Sequence, residues 1–340
     1  MTPIRIQKTP VLPKTFFRKY TSVGVLVDPN TRKHCYEKIR NQLPRHHVFE
    51  VPEGEQHKNL ETCQRLWQDL TDAHFDRHSL LLVLGGGVPG DLGGFCASTF
   101  KRGIDFVLVP TTLLAMVDAS IGGKTGVDVG PIKNHVGTFA MPAATWIATD
   151  FLHTLPPSEL RSGFAEVIKH CLLGDHRMWD AIRKKSLDNQ DWPRLIRHST
   201  KFKGGVVKKD PREAGLRKIL NYGHTIGHAL EGNSLRSGNR LLHGEAVAAG
   251  MVVEAFLSHQ RKMLTLDDTR SIAGYVISIF GKVEIQDPGQ LISLMRQDKK
   301  NKGNEICVAL PGPVGKARWD IEVSEKDIRK ALASYRDYQT

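Results

Sequence analysis

SLLLVLGGGVPGDLGGF, residues 79–95, carries the reading on which the fold turns. Leu80 to Leu84 are apolar without alternation, the pattern of a strand covered on both faces in a parallel sheet. The strand runs straight into Gly85, Gly86 and Gly87, and a helix is expected over 91–100. Glycines let a backbone approach a pyrophosphate, and the helix behind them offers free N–H groups and a positive dipole end. The same run also makes an ordinary tight turn, so nucleotide binding needs a second signal.

That signal comes from both sides. Upstream, VGVLVD (23–28) is a short strand ending on Asp28, where a carboxylate can hold a ribose hydroxyl. VFEV (48–51) reads as another strand, followed by PEGEQHKN and a helix over about 59–74. Downstream, FVLVP delivers Thr111 and Thr112, then Asp118, then a second glycine pair bearing Lys124. Strand, glycine loop and helix are thus expected twice in one sheet, and ATWIATD (144–150) supplies a further strand. The glycine run is not read as a G-x-G-x-x-G fingerprint, so the expected fold is an α/β nucleotide-binding domain, Rossmann-like but not the standard form. From Leu155 the texture changes to helices with one late strand near 305–310. Two domains are expected, 1–155 and 156–340. The segment 297–305 reads as a charged loop, and the first twenty residues carry no assignment.

The chain has 340 residues, 40% of them hydrophobic, with mean hydropathy −0.30, an ordinary globular composition. No stretch approaches the ~18 uninterrupted apolar residues of a membrane span, and the N-terminus lacks the apolar core of a secretory signal. Cys35, Cys63, Cys96, Cys171 and Cys307 are scattered without CxxC spacing, as reduced thiols of a cytoplasmic protein are. The net charge of +12 raises nucleic acid as a partner, but the cations are spread along the chain without a recognition motif. A basic site for a small anionic ligand is the preferred reading, with neither nucleic acid nor membrane as a partner.

The second half concentrates its chemistry in RKILNYGHTIGHALE (217–231) and HGEAVAAGM (243–251). Arg217, Asn221, His224 and His228 are spaced as one helical face, which would direct a cation, an amide and two imidazoles the same way. A His pair at i, i+4 is often no more than a surface pair. Here the face has no apolar member, and His243 opens another helix-like run, so a two-His-one-carboxylate metal site is expected. His224, His228 and His243 are all candidate ligands at this point. SELRSGFAEVIKHCLL (158–173) offers the carboxylate Glu166, with Lys169 three residues on and apolar flanks on both sides. A surface ion pair is the simpler account; burial would require partners, a metal for Glu166 and an anion for Lys169.

From about Glu53 to Lys300 the sequence resembles the 3-dehydroquinate synthases, members of the sugar-phosphate cyclases. The resemblance rests on EGEQHK (53–58), GGGVPGD (85–91), PTTLLAMVDASIGGKTGVD (110–128), KN (133–134), GFAEVIKH (163–170), RKILNYGHTIGHALE (217–231), LLHGEAV (241–247) and DKK (298–300), in the family's order. It implies NAD as cofactor, with Zn2+ or Co2+, and a homodimer. It makes Glu166, His224 and His243 the metal ligands and moves His228 to the substrate side. Asp28, Glu55, Lys58, Gly86, Gly87, Asp91, Thr111 and Thr112 match NAD contacts, with Phe151 to Thr154 a further piece and Lys124 and Lys133 shared with the substrate. Asp118, Lys124, Lys133, Asn134, Lys169, Lys203, Arg217, Asn221 and Lys300 (or Lys299) match the substrate and catalytic shell.

The implied reaction converts 3-deoxy-D-arabino-heptulosonate 7-phosphate to 3-dehydroquinate and phosphate, in the shikimate pathway of aromatic amino acid biosynthesis. It proceeds by transient oxidation, phosphate β-elimination, re-reduction and aldol closure. A substrate with a carboxylate and a phosphate needs several fixed cations, and Lys124, Lys169, Lys203 and Arg217 are available. Three alternatives stand beside this one. A sister cyclase on sedoheptulose 7-phosphate has no carboxylate to bind, a polyol dehydrogenase would release NADH, and a basic binding protein would need neither metal nor NAD.

Overall fold

The computed structural model describes residues 2–130, 132–237, 241–296 and 305–339. The chain divides into two compact units, one of residues 1–160 with 192–204 and the other of 161–191 with 205–340.

The strands of the first unit are β1 (Ile4–Gln7), β2 (Val23–Val27), β3 (His47–Glu50), β4 (Leu80–Gly85), β5 (Asp105–Pro110), β6 (Lys124–Val129), β7 (Ile132–Phe139) and β8 (Ala144–Ala148). Six of them make one parallel sheet in the order β1-β8-β5-β4-β2-β3. Every residue of β2, β4 and β8 is buried, which accounts for their continuous apolar runs. From β2 the chain goes outward to β3, while from β4 it goes the other way to β5. The reversal lies between β2 and β4, and ligands of open α/β sheets bind beyond the strand ends at such a point. Asp28 and the Gly85–Gly87 turn are what those two strands deliver there.

Helices α1 (Pro29–His34), α2 (Leu60–Asp72) and α3 (Gly87–Thr99) accompany these strands. α1 starts where it does because Asp28 caps it, accepting from the Thr31 amide at 2.7 Å, with Pro29 preset for the first position. α3 begins four residues earlier than expected, directly at the glycines. Pro89 falls in its first turn, where no amide has an intrahelical partner, so the ring removes no helix bond.

Two expectations are corrected here. The second glycine pair, Gly122–Gly123, opens β6 rather than a helix, and β6 pairs antiparallel with β7 outside the main sheet. The β-branched residues of KTGVDV favour a strand, and their register with IKNHVGTF fixes the hairpin. Gly85, Gly87 and Gly90 do have the G-x-G-x-x-G spacing, so the non-standard character lies in this hairpin and not in the first turn. The unassigned N-terminal stretch packs on the first unit: β1 adds to the edge of the sheet against β8, and Phe16 and Phe17 pack edge-on against Trp146 at 5.0 and 5.9 Å.

The remaining helices are α4 (Pro157–Gly174), α5 (His176–Arg183), α6 (Trp192–Lys209), α7 (His224–Ser237), α8 (His243–Gln260), α9 (Leu266–Phe280), α10 (Pro288–Arg296) and α11 (Glu325–Asp337). Helix α6 continues through Gly204–Gly205 without a break. The second unit is mainly helical, but β9 (Ile306–Pro311) has a partner, β10 (Ala317–Val323), where the sequence reading expected one strand. ARWDIEV alternates apolar and charged residues, the period of a half-buried strand, a signal that the sequence reading missed. Among the described residues all five cysteines are free and buried, and no helix is long and apolar enough to cross a membrane.

Candidate active site

Three helices of the second unit bring the expected metal ligands together. Glu166, in the middle of α4, is fully buried, and Lys169 one turn on is 1% exposed. The Glu166 carboxylate pairs through Oε2 with the Lys169 ammonium. Its Oε1 faces His224 Nε2 at 3.5 Å and His243 Nε2 at 3.8 Å. One ligand atom from each of the three residues lies within 4.8 Å of the others. One carboxylate and two imidazole nitrogens suit Zn2+ or Co2+, so the donor set fits the metal that the resemblance implies.

Each imidazole is turned to offer Nε2. His224 Nδ1 lies 3.2 Å from the Tyr222 carbonyl, and His243 Nδ1 lies 3.5 Å from Glu231 Oε2. Burial alone would lower the His243 pKa, but its hydrogen bonds to Glu166 and Glu231 outweigh it and raise the value to about 9.

Close backbone packing fixes the distances. Gly244, beside His243, lies so near Ser162 that an added Cβ would fall 2.5 Å from its Cα and carbonyl carbon. The Gly244 amide also donates to Ser162 Oγ at 3.0 Å. Ser162 is one turn before Glu166, so this contact sets the separation of the α4 and α8 ligands. Ahead of α7, Gly223 has φ +80° and donates its amide to the buried Glu254 carboxylate at 2.6 Å.

That glycine corrects a further expectation. Arg217 and Asn221 lie in a 3-10 turn, Leu216–Asn221, and Gly223 breaks the chain before α7 begins at His224. The four residues therefore do not form one helical face; only His224 and His228 share a helix, their ring centroids 5.2 Å apart. His228 lies outside the three-ligand group. Arg217 is buried and donates to the Pro211 carbonyl at 2.6 Å, and Asn221 donates to Glu213 Oε1 at 2.6 Å. Glu213, at φ +59°, was not anticipated, because nothing in DPREAGLRK marks it until Asn221 is seen against it.

In the first unit, Lys58 gathers much of the expected cofactor set. Its buried ammonium lies 2.7 Å from Glu55, 3.0 Å from Asn134 Oδ1 and 3.6 Å from Asp91. Asp128, 3.5 Å away, was missed by the sequence reading, and Lys133 approaches Glu55 at 3.9 Å. Burial pushes the Asp91 carboxyl up to about 6 against the pull of Lys58. Burial also acts to raise Glu55, but Lys58 prevails and holds it below the usual range.

Beside this cluster is a pocket lined by Gly85, Gly86, Gly87, Asp91, Ser120 and Lys124. Thr111 donates its amide to the Gly85 carbonyl at 3.0 Å, and Thr112 Oγ1 accepts from the Ala115 amide at 3.2 Å. Phe151 is buried in the 3-10 turn Thr149–Thr154, whose Thr154 hydroxyl donates to the Phe151 carbonyl. The Lys203 ammonium is held by Asp118, at 2.7 Å from Oδ1 and 2.8 Å from the backbone carbonyl. Lys299 and Lys300 lie outside the described residues.

Residues 48–162 match the profile of the 3-dehydroquinate synthase N-terminal domain, and 163–301 that of the 3-dehydroquinate synthase C-terminal domain. The chain belongs to the 3-dehydroquinate synthase family. Within the family, the 3-dehydroquinate synthase of Parabacteroides distasonis is 36% identical over 326 residues, covering 94% of this chain and 92% of that protein. The one from Thermodesulfovibrio yellowstonii is 38% identical over 323 residues, covering 91% and 89%. The fold is shared with 2-epi-5-epi-valiolone synthase from Streptomyces hygroscopicus subsp. jinggangensis, solved with NAD+ and Zn2+ bound. That likeness has TM-score 0.88 and 25% identity, over 99% of this chain and 97% of the other. A 2-deoxy-scyllo-inosose synthase complexed with carbaglucose-6-phosphate, NAD+ and Co2+ aligns with TM-score 0.84 over 96% and 95% of the two chains. Its identity is 23%, so it bears on the fold alone.

Proposed function

We propose that this chain is a 3-dehydroquinate synthase, a phosphate-eliminating lyase that converts 3-deoxy-D-arabino-heptulosonate 7-phosphate to 3-dehydroquinate and phosphate. The observation that carries the reading is the convergence of Glu166, His224 and His243 in a chain that matches the family over both of its parts.

Glu166, His224 and His243 would hold Zn2+ or Co2+. Asp28, Glu55, Lys58, Gly86, Gly87, Asp91, Thr111, Thr112, Phe151 and Thr154 would hold NAD, with Lys124 and Lys133 shared between cofactor and substrate. Bound NAD supplies a hydride acceptor that is regenerated within the cycle, and the divalent cation supplies a Lewis acid for the substrate oxygens. The side chains do the rest. Lys124, Lys169, Lys203 and Arg217 fix the carboxylate and phosphate, as a substrate carrying both anions requires. Asp118 holds Lys203 in place, Asn134 and Asn221 orient hydroxyls, and His228 relays protons. Lys300 completes the anion-binding set.

The division near residue 155 is proposed as a functional one, with NAD residues before it and metal residues after it. We further place the protein in the shikimate pathway, as a cytoplasmic homodimer whose only ligands are small molecules. The five reduced cysteines and the dispersed positive charge favour that setting.

The deciding assay is phosphate release from 3-deoxy-D-arabino-heptulosonate 7-phosphate beside sedoheptulose 7-phosphate, with NAD+ and zinc. Phosphate from the first alone, with no net NADH, is expected. Release from the second alone would make the chain a sister cyclase, and accumulating NADH would make it a dehydrogenase.

Lys169→Ala tests the cation set. Metal and NAD binding should survive, with the metal if anything held more tightly, since an ammonium no longer competes for Glu166. Turnover should fall by roughly two to three orders of magnitude, the effect of removing one fixed charge from such a site. An unchanged kcat would remove Lys169 from the reaction.

A further inference from the structure

We propose that Glu231 is a positioning residue for the metal centre: its carboxylate holds Nδ1 of His243 and so presents Nε2 to the cation. This rests on the reading of Glu166, His224 and His243 as ligands.

Four observations carry it. Glu231 Oε2 is 3.5 Å from His243 Nδ1, at the outer limit of a hydrogen bond and within ion-pair range, while Nε2 of the same ring faces Glu166. The carboxylate is 9% exposed, so water competes little for it. Glu231 follows His224 and His228 at i+7 and i+3 on α7, which places it on the helix face that already supplies a ligand. Its backbone is pinned in turn, since the Ser234 hydroxyl donates to the Glu231 carbonyl at 2.7 Å.

The two imidazoles are thus anchored differently. His224 leans on a main-chain carbonyl, which is neutral and fixed by the fold. His243 leans on a carboxylate, which fixes the tautomer and also makes the ligating nitrogen more basic. Glu231 adds a second negative charge to a centre whose other carboxylate is shared with Lys169. Removing it should weaken metal binding without disturbing the NAD residues of the first unit.

The test measures zinc affinity by chelator competition and the visible absorption of the Co2+-loaded protein, for Glu231→Ala, Glu231→Gln and the control His243→Ala. Glu231→Ala is expected to bind zinc roughly 10- to 100-fold more weakly, the range found for outer partners of metal ligands. Glu231→Gln should fall between it and the parent, since an amide oxygen still accepts from Nδ1 but carries no charge. The Co2+ bands should shift in both, with NAD affinity unchanged.

Unchanged zinc affinity in Glu231→Ala, with His243→Ala losing the metal, overturns the proposal and leaves the ligand assignment standing. Unchanged affinity in His243→Ala overturns the ligand assignment itself. Should Glu231→Ala fail to fold, Glu231→Gln decides: parental affinity and an unshifted Co2+ spectrum count against the role.

Discussion

Glu166→Ala is expected to lose the metal and the activity together. The carboxylate meets both imidazoles, and it is wholly buried. Without it, His224 and His243 are left as a two-nitrogen site, too few ligands for a divalent cation to stay through purification. The substitution also strips a buried ammonium of its carboxylate, and breaking a buried pair from one side costs about 3–5 kcal/mol. Metal analysis of the purified variant, with the phosphate-release assay alongside, should show neither metal nor turnover. Glu166→Gln keeps the volume and an acceptor oxygen for the Lys169 ammonium but not the charge, so it should lose the metal at a smaller cost in stability. A variant with normal metal content and full turnover would end the ligand assignment.

The second large effect is expected at a residue with no side chain. Gly244→Ala would place a methyl carbon 2.5 Å from the Ser162 Cα and carbonyl carbon, and closer still to its oxygen. Both sides of that contact are backbone, so no rotamer change relieves it; α4 and α8 must separate. Overpacking typically costs about 1–3 kcal/mol, and a backbone-on-backbone clash belongs at or above the top of that range. The same displacement moves His243 away from Glu166. Gly244→Ala should therefore unfold at a clearly lower temperature and also hold zinc poorly at temperatures where it is folded. A parental melting temperature would show that the helices are not in the contact described. Gly250→Ala is a companion case, its Cβ meeting the Gly227 amide nitrogen at 2.8 Å.

Both predictions concern positions that the sequence marks, but for different reasons. Glu166 stands out as a carboxylate between Phe164, Ala165, Val167 and Ile168, though a surface ion pair with Lys169 fits that pattern too; its complete burial is shown only by the structure. Gly244 stands out only as a glycine after a histidine, which on its own suggests a loop end. It is the third helix, crossing at Ser162, that makes the glycine obligatory. Glu231 shows the intermediate case. Its i+7 spacing from His224 is in the sequence, yet its use depends on where α8 begins.

The sequence by itself determined the parallel sheet, because strands covered on both faces must be apolar throughout, as Leu80–Leu84 are. It determined the glycine turn after β4 and the helices that carry Glu166, His224 and His243, because periodicity and turn chemistry are local properties. Only the tertiary structure decided the rest. Arg217 and Asn221 keep helical spacing, but Gly223 at φ +80° turns the chain between them and His224, and spacing cannot register a change of direction. β10 does carry a legible period, apolar and charged residues alternating through ARWDIEV; what only the structure adds is its pairing with β9. Asp128 joins Lys58, Glu55 and Asp91 through a hairpin in place of the expected helix. Glu213 is found by Asn221 and Glu231 by His243, each across a fold in the chain. What composition and period cannot encode is which faces meet, and that is set by the close backbone contacts at Gly244 and Gly250 and by the order of the strands.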